Sequence, residues 1–178
     1  MDLEHLDDLI IRCQRGEQEA FEAVFVEYQP RLTFYLRRLA SPMDQIDDLM
    51  QDIWIKVIRK VKGLRDPRAF TAWVYRIARN EVYSKTRLKH PCVEETDQAL
   101  DELPAEDATD FTAYDMAHLY QGLDRLKAPQ KEILTLFFLE QMSYKDIARV
   151  LDIHLGTVRS RLFHAKDALR RELEGYHE

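Results

Sequence analysis

The sequence predicts an all-α fold in which two small helical domains are joined by an acidic linker. Only 5 Gly and 6 Pro occur among 178 residues, and 33% of the residues are charged, a composition that favours helices over turns. Apolar residues recur at helical spacing through most of the chain. The exception is an acid-rich segment of weak periodicity, so we expect domains at 1–89 and 113–178 and a linker at 90–112.

Three helices are expected in the first part of the N-terminal domain, a helical bundle. A short helix ends near Gly16, a longer one covers residues 17–40, and a third runs from about Asp44 to Gly63. Pro30 should kink the long helix or divide it in two. The apolar positions expected on the inner faces of these helices are Leu6, Leu9, Ile10, Cys13, Ala20, Phe21, Val24, Phe25, Tyr28, Leu32, Tyr35, Leu36, Leu39, Ile46, Leu49, Met50, Ile53, Trp54, Val57, Ile58 and Val61.

A fourth helix of this domain should start at Asp66-Pro67. Asp can cap the first backbone amides of a helix, and Pro suits its first position. Inward positions are expected to be Phe70, Trp73, Val74, Ile77, Ala78 and, at the margin, Val82. Outward positions are expected to be Arg76, Arg79, Asn80, Tyr83, Lys85, Arg87 and Lys89. The last helix of the N-terminal domain is therefore expected to carry a strongly basic outward face.

The C-terminal domain should begin with a helix over residues 111–126. A second, apolar helix is expected over residues 129–140, because apolar residues dominate this stretch and Pro129 suits its start. The positions expected inside are Ile133, Leu134, Leu136, Phe137 and Phe138.

A helix-turn-helix is predicted at the end of this domain. Ser143 and Asp146 have the spacing of a capping box and open a helix that ends at Leu151. A short turn over residues 152–154 leads to a last helix over about 155–172. Ile147, Ala148 and Leu151 should face inward from the first of these helices, and Val158, Leu162, Ala165 and Leu169 from the second.

The net charge of −6 hides an uneven distribution along the chain. Residues 53–89 contain 11 bases and 2 acids, and residues 125–171 contain 10 bases and 5 acids. Between them, residues 90–124 contain ten acids and no Lys or Arg, and residues 1–52 contain 12 acids and 5 bases. Two basic blocks therefore flank an acidic one, which is compatible with nucleic-acid binding by the basic blocks.

The outward face of the last helix has the chemistry of a DNA-reading surface. Phe163 could lie against thymine methyl groups, and Arg159 could hold a guanine edge with two hydrogen bonds. Arg161 and Lys166 suit phosphates, and the helix start at Gly156-Thr157 offers amides to another phosphate. The alternative is a solvated charged face on a structural helix. The candidate DNA-binding residues are Thr157, Arg159, Ser160, Arg161, Phe163, His164 and Lys166.

Three blocks of the chain resemble the extracytoplasmic-function (ECF) sigma factors of bacterial RNA polymerase. The last block, residues 143–173, reads SYKDIARVLDIHLGTVRSRLFHAKDALRREL and is similar to the part of that family that reads the upstream promoter element. Residues 47–61 read DDLMQDIWIKVIRKV and resemble the segment that docks on the polymerase clamp. Residues 70–89 read FTAWVYRIARNEVYSKTRLK and resemble the segment that melts and reads the downstream element.

The resemblance implies a sigma factor that binds core RNA polymerase and promoter DNA, together with an anti-sigma partner. It assigns polymerase binding to Asp47, Asp48, Gln51, Asp52, Trp54 and Lys56. It assigns the downstream element to Arg76, Arg79, Asn80, Tyr83, Lys85 and Arg87, with Asn80 beside a flipped-out base. The resemblance implies that the acidic linker threads the polymerase cleft and mimics a phosphate chain there. The alternative is a soluble tether that is kept off the two basic modules. His164 departs from the Arg of many relatives, which leaves the upstream base preference open.

Other functional classes remain as alternatives. A two-component or quorum-type regulator also ends in a helix-turn-helix, but it would need a receiver or ligand domain with strands, and the sequence shows none. No nucleophile–base pair, phosphate loop or metal-ligand spacing indicates an enzyme, a cofactor or a metal site. A pure protein adaptor is the third alternative. The acidic N-terminus and the lack of a long apolar run favour a cytoplasmic protein.

Overall fold

The computed structural model describes residues 3–39, 46–86 and 116–174, and within these residues it contains eight α-helices and no strand. The all-α prediction is confirmed. The helices are α1 (Leu3–Arg15), α2 (Gln18–Leu39), α3 (Ile46–Lys60), α4 (Phe70–Thr86), α5 (Met116–Arg125), α6 (Ala128–Leu134), α7 (Tyr144–Leu151) and α8 (Leu155–Glu174). None of these eight helices has the length and apolar character that a membrane crossing requires.

The chain divides into two compact units, most of the first before residue 90 and most of the second after it. The predicted linker at 90–112, with its acidic residues, lies outside the described residues, as do Arg87 and Lys89. Each unit has its own buried apolar residues, so each is described by itself.

Aromatic residues connect the helices of the N-terminal unit. α2 packs against α1, α3 and α4, and α3 packs against α4. The ring of Tyr28 meets that of Phe70 edge-on at 5.2 Å, and its hydroxyl lies 2.6 Å from Thr71 Oγ1. Farther along, Tyr35 and Tyr75 meet at 5.2 Å. These contacts hold α4 against α2, because burying an aromatic ring removes a large apolar surface from water.

Local signals set the helix ends in this unit as predicted. Gly16 ends α1 with φ at +88°, a left-handed conformation that Gly adopts without steric cost, and its N–H donates to the carbonyl of Cys13 at 2.9 Å. Asp66 accepts a hydrogen bond from the backbone N–H of Arg68, with Pro67 at the first position of a short 3₁₀ turn that runs into α4. These two local signals fix where α1 ends and where α4 begins.

Several predictions for the N-terminal unit were wrong. Pro30 does not divide α2, so the second of its two predicted effects is wrong, while the kink stays a prediction. The buried residues on either side of it, Tyr28 and Leu32, pack the helix across the missing hydrogen bond. Phe25 and Ile58 are exposed although the apolar pattern placed them inward. The positions that are half-buried rather than buried are Phe21, Leu39, Trp73 and Ile77.

In the C-terminal unit, α8 packs against α5 and α6. Gly122 of α5 permits a close approach, because a Cβ atom there would lie 3.0 Å from side-chain carbons of both Leu169 and Leu173. The predicted inner positions of α8 are confirmed: Val158, Leu162, Ala165 and Leu169 are buried, and Leu173 extends the same face by one turn.

The helix-turn-helix is built as the sequence predicts. Ser143 caps α7, since its Oγ accepts a hydrogen bond from the Asp146 N–H at 3.2 Å. Asp152 ends α7 with φ at 58°, in the left-handed region, and α8 starts three residues later. Ile147 and Leu151 are buried as predicted, but Val150 is buried in place of Ala148, which is half-buried.

The apolar helix before α7 differs from its prediction. α6 ends as an α-helix at Leu134 and continues as a π turn over Thr135–Leu139. The N–H of Glu140 donates to the carbonyl of Thr135 at 3.1 Å, which closes this wider turn. Ile133, Leu134 and Leu136 are buried, whereas Phe137 and Phe138 are half-buried because their rings lie at the rim of the unit.

Candidate nucleic-acid interface

The buried face of α8 leaves the opposite face available. Arg159, Phe163 and His164 are exposed, and 39% of the Phe163 surface is accessible to solvent. The exposed Phe163 puts an aromatic ring on a face that otherwise carries Arg, Ser and His side chains. The other predicted positions are half-buried, and these are Thr157, Ser160, Arg161 and Lys166. All seven candidates therefore lie in one helix and outside its buried face.

Three of the seven candidates, Phe163, His164 and Lys166, take part in contacts with aromatic rings. The rings of Phe163 and His164 meet edge-on at 5.4 Å near the middle of α8. Lys166 is held differently, because its Nζ lies 4.6 Å from the centre of the Phe137 ring. The predicted phosphate-binding Lys is thus in contact with an aromatic ring of its own unit.

The outward face of α4 is only partly as predicted. Arg76 and Asn80 are exposed and lie one helical turn apart. Arg79 and Tyr83 were predicted to be exposed but are buried, at 5% and 8% accessibility, and the Arg79 guanidinium lies 4.6 Å from the centre of the Tyr83 ring. Two polar-ended side chains spaced by four residues can cover each other in this way.

Ion pairs join α4 to the predicted docking helix α3. Lys85 of α4 lies 2.5 Å from Asp52, and Lys56 of α3 pairs with Glu81. The hydrogen bond and the positive charge from Lys85 lower the pKa of Asp52. Asp52 is therefore ionised at neutral pH, and this contribution to stability is lost as acidification passes its folded-state pKa. Three of the predicted site residues are consequently partnered within the unit.

The remaining docking residues fall into two groups. Asp47, Asp48 and Gln51 are exposed on the first turns of α3. Trp54 is buried at 8% accessibility; its Nε1 donates to Gln29 Oε1 at 2.6 Å, and its ring lies 4.9 Å from that of Phe25. Trp54 is therefore oriented by α2.

An exposed apolar patch that the sequence analysis missed lies beside Trp54. Phe25 of α2 is 43% exposed and touches the Trp54 ring, and Ile58, one turn along α3 from Trp54, is 55% exposed. Val26 and Ile55, at 73% and 37%, extend the apolar character on the same two helices. The sequence contained one indication that Ile58 is exposed, because Ile58 lies at the edge of the apolar stripe of α3 and not at its centre. We call Phe25, Val26, Ile55 and Ile58 the apolar patch.

The described residues contain no group of three or more His, Cys, Asp or Glu side chains placed to hold a metal ion. Cys13 is buried in α1, and burial raises the pKa of its thiol to about 11. The thiol is therefore protonated at neutral pH, which is the expected state of a core residue.

Comparison with known proteins decides the family. The family "Sigma-70 region 2" matches residues 24–90, and "Sigma-70, region 4" matches residues 116–169. The RNA polymerase sigma-H factor of Pseudomonas aeruginosa is 30% identical, over 93% of this chain and 92% of the relative. The ECF RNA polymerase sigma-E factor of Haemophilus influenzae is 31% identical, over 93% and 94%. The chain belongs to the ECF sigma factors.

Two solved structures share the fold. A Bartonella quintana complex of the sigma factor RpoE with the anti-sigma factor NepR contains a chain that matches with a TM-score of 0.64 and 28% identity, covering 86% of this chain and 96% of that one. CnrH, solved in complex with the cytosolic domain of CnrY, matches with a TM-score of 0.68, over 98% and 99% of the two chains. Its identity of 22% supports the fold alone.

Family membership sets the activity of this ECF sigma factor. It is a promoter-recognising subunit of RNA polymerase that acts in transcription initiation. The region 2 match contains α3, α4 and most of α2, and the region 4 match runs from the start of α5 into α8. The candidate DNA-facing residues that the structure describes on α4 and α8 thus lie within matched regions.

Removing the charge of Lys56 should destabilise the N-terminal unit. In Lys56→Met the Glu81 carboxylate, whose side chain is only 8% exposed, loses its ionic partner. We expect a loss of about 1–3 kcal/mol in the free energy of unfolding. Urea unfolding followed by tryptophan fluorescence measures it, because both tryptophans, Trp54 and Trp73, belong to this unit.

The double variant Lys56→Met/Glu81→Leu should recover most of that loss, since no buried charge remains. Lys60→Met removes the same charge from an exposed position of α3 and should change stability little. If Lys56→Met and the unaltered protein had the same free energy of unfolding, the Lys56–Glu81 pair would not stabilise the unit.

Proposed function

We propose that this sigma factor reads the upstream promoter element with the outward face of α8 and the downstream element with α4, while α3 and the apolar patch hold core polymerase. In this proposal residues 1–89 form the polymerase-docking and strand-opening domain and residues 113–178 the upstream-reading domain. The observation that carries it is the exposed Phe163 beside Arg159 on a helix whose opposite face is buried.

Upstream reading would combine base and phosphate contacts. Arg159 and Phe163 are four residues apart, so they stand about 6 Å apart along the helix axis and can reach neighbouring base pairs. The guanidinium suits a guanine edge and the ring suits a thymine methyl group. Thr157, Ser160 and Arg161 are placed toward the start of α8 for contacts to the backbone or to adjacent bases. His164 adds a ring beside Phe163.

Downstream reading would use the exposed pair Arg76 and Asn80. The Asn80 amide can donate to and accept from the edge of an unpaired base, and Arg76 can hold the strand backbone. The stacked Arg79 and Tyr83 would support this surface with a cation and a ring. Lys85 would contribute by leaving its ion pair with Asp52 and binding a phosphate of the DNA strand. This exchange costs little free energy, because an ion pair at this exposure stabilises the folded unit only slightly in water. Arg87 would extend the basic surface beyond the described residues.

Polymerase docking would combine acidic and apolar contacts. Asp47, Asp48 and Gln51 give α3 a polar, mostly acidic start, and the apolar patch lies with Trp54 on α2 and α3. Stable protein interfaces commonly have an apolar centre and a polar rim. Asp52 and Lys56, which are paired to α4, would then support the docking helix and contact the polymerase only at its edge.

Two further assignments follow from the relatives. The similar Bartonella quintana sigma factor was solved with an anti-sigma factor, and we expect a partner of that class for this chain. Because its polymerase partner is in the bacterial cytoplasm, we expect the protein there too, acting as an initiation factor without catalysis of its own.

The assignments are tested together with polymerase reconstituted from core enzyme and the full chain, using the promoter that this holoenzyme protects. Arg159→Ala should weaken binding to the upstream element by roughly ten-fold and flatten its preference at one base pair, because one bidentate contact is lost. Binding is measured by titration against the promoter and a set of single-base variants.

Arg170→Ala is the matched control for Arg159→Ala, since it removes an exposed Arg farther along the same helix. It should leave the base preference unchanged. A loss of affinity in Arg159→Ala that is equal on every DNA sequence would contradict base reading by Arg159.

Asn80→Ala should impair strand opening while leaving polymerase binding intact. Loss of the amide removes a hydrogen bond to an unpaired base, so we expect roughly ten-fold less open complex. Permanganate reactivity of unpaired thymines measures opening, and titration of core enzyme measures polymerase binding. A defect in polymerase binding would show that Asn80 serves the docking surface instead.

Ile58→Asp should weaken binding to core polymerase more than ten-fold, because it places a charge in the centre of the proposed apolar contact. Ile58 is 55% exposed, so the fold should tolerate the change, and circular dichroism checks this. Ile11→Asp, at an exposed apolar position of α1, is the matched control and should bind normally. Unchanged affinity of Ile58→Asp would remove the apolar patch from the docking surface.

A further inference from the structure

The π turn at the end of α6 carries an aromatic cluster. Phe137 lies within the turn, and its ring is 4.9 Å from that of Phe138 and 5.6 Å from that of Tyr144. Tyr144 is the first residue of α7. A π turn contains one residue more than an α-helical turn, so it rotates the side chains that follow Leu134 relative to a continued α-helix. The cluster therefore bridges the end of α6 and the start of the helix-turn-helix.

Lys166 of α8 completes this cluster. Its ammonium lies 4.6 Å from the centre of the Phe137 ring and 5.9 Å from that of Phe138. Both distances are within the range at which a cation is attracted by the negative face of an aromatic ring. Lys166 follows the buried Ala165 and is itself half-buried, in contrast to the exposed Arg159. The Lys166 side chain thus points toward the aromatic rings of its own unit and not outward into solvent.

We infer that Lys166 is a positioning residue that fixes α8 against the π turn that follows α6, and that it does not serve as a phosphate contact. The sequence predicts a phosphate contact for this residue, but the geometry places its charge over Phe137 and Phe138 of the aromatic cluster. Lys166 is one turn beyond Leu162 and seven residues beyond Arg159, so this contact sets the direction in which Arg159 and Phe163 leave the helix. The inference rests on the proposed reading of the upstream element by α8.

Nuclear magnetic resonance of the free full chain gives a test that does not involve DNA. A lysine ε-methylene group held over a ring face resonates upfield of a solvated one. We expect an upfield ε-methylene signal that disappears in Lys166→Met, which assigns it, and moves to the solvated position in Phe137→Leu. A Lys166 signal at the solvated position in the unaltered protein would overturn the inference.

The salt dependence of promoter binding by the holoenzyme separates positioning from phosphate contact. Lys166→Met should weaken binding to the upstream element roughly three- to ten-fold. The slope of log K against log salt concentration should stay the same, whereas loss of one phosphate contact lowers its magnitude by about 0.9. Phe137→Leu, which changes no charge, should give the same loss, and the double variant should lose no more than either single one.

Two controls accompany these variants. Lys166→Arg keeps a cation that stacks on rings and should restore normal binding. Lys127→Met removes the same charge from an exposed position at the start of α6 and should change neither affinity nor slope. A slope lowered by about 0.9 in Lys166→Met, with normal binding by Phe137→Leu, would establish a phosphate contact instead. Failure of the proposed function would be visible separately, as an unchanged base preference in Arg159→Ala.

Discussion

A helix that reads DNA has to leave one face open to the nucleic acid while the rest of it is held by its unit. In this protein that constraint applies to both helices that are proposed to face DNA. Five buried residues of α8, Val158, Leu162, Ala165, Leu169 and Leu173, secure it to its unit. α4 is secured by Phe70 and Tyr75, which meet aromatic residues of α2, and it also packs against α3. Everything proposed for promoter reading depends on these attachments leaving one face of each helix open.

The attachments of both helices are reinforced by charge. On α4, Glu81 and Lys85 pair with Lys56 and Asp52 of the neighbouring helix, so the helix proposed for strand opening is linked to the helix proposed for docking by polar as well as apolar contacts. On α8, Lys166 is drawn onto aromatic rings. The charged residues of these helices therefore differ in role: some complete the structure, and others are proposed to form the interaction surface. In this proposal an overall acidic protein binds DNA because the second group is concentrated on two faces.

The sequence was sufficient where the determining signals are local. The Ser143 cap, the left-handed stop at Gly16 and the four-three-four spacing of the inner face of α8 depend on residues within a few positions of one another, and all three are present. The same holds for the candidate DNA-facing positions of α8, which follow once the inner face is known.

The sequence was insufficient where tertiary contacts decide. Residues 133–139 are apolar at nearly every position, so periodicity could not distinguish an α-helix from the π turn that forms at its end. The exposure of Phe25 and Ile58 depends on how far the α2–α3 contact extends, which a helical pattern does not encode. Burial of Arg79 and Tyr83 likewise depends on how they pack on each other.

The tight approach at Gly122 has a consequence for how such regulators diversify. A Cβ atom at Gly122 would lie so close to Leu169 and Leu173 that their side chains would have to give by a few tenths of an ångström, so this junction tolerates little change. The exposed Arg159 and Phe163 on the outward side of α8 meet no such restriction. Promoter preference can thus drift during evolution, or be redesigned by exchanging outward side chains, while the scaffold beneath stays constant.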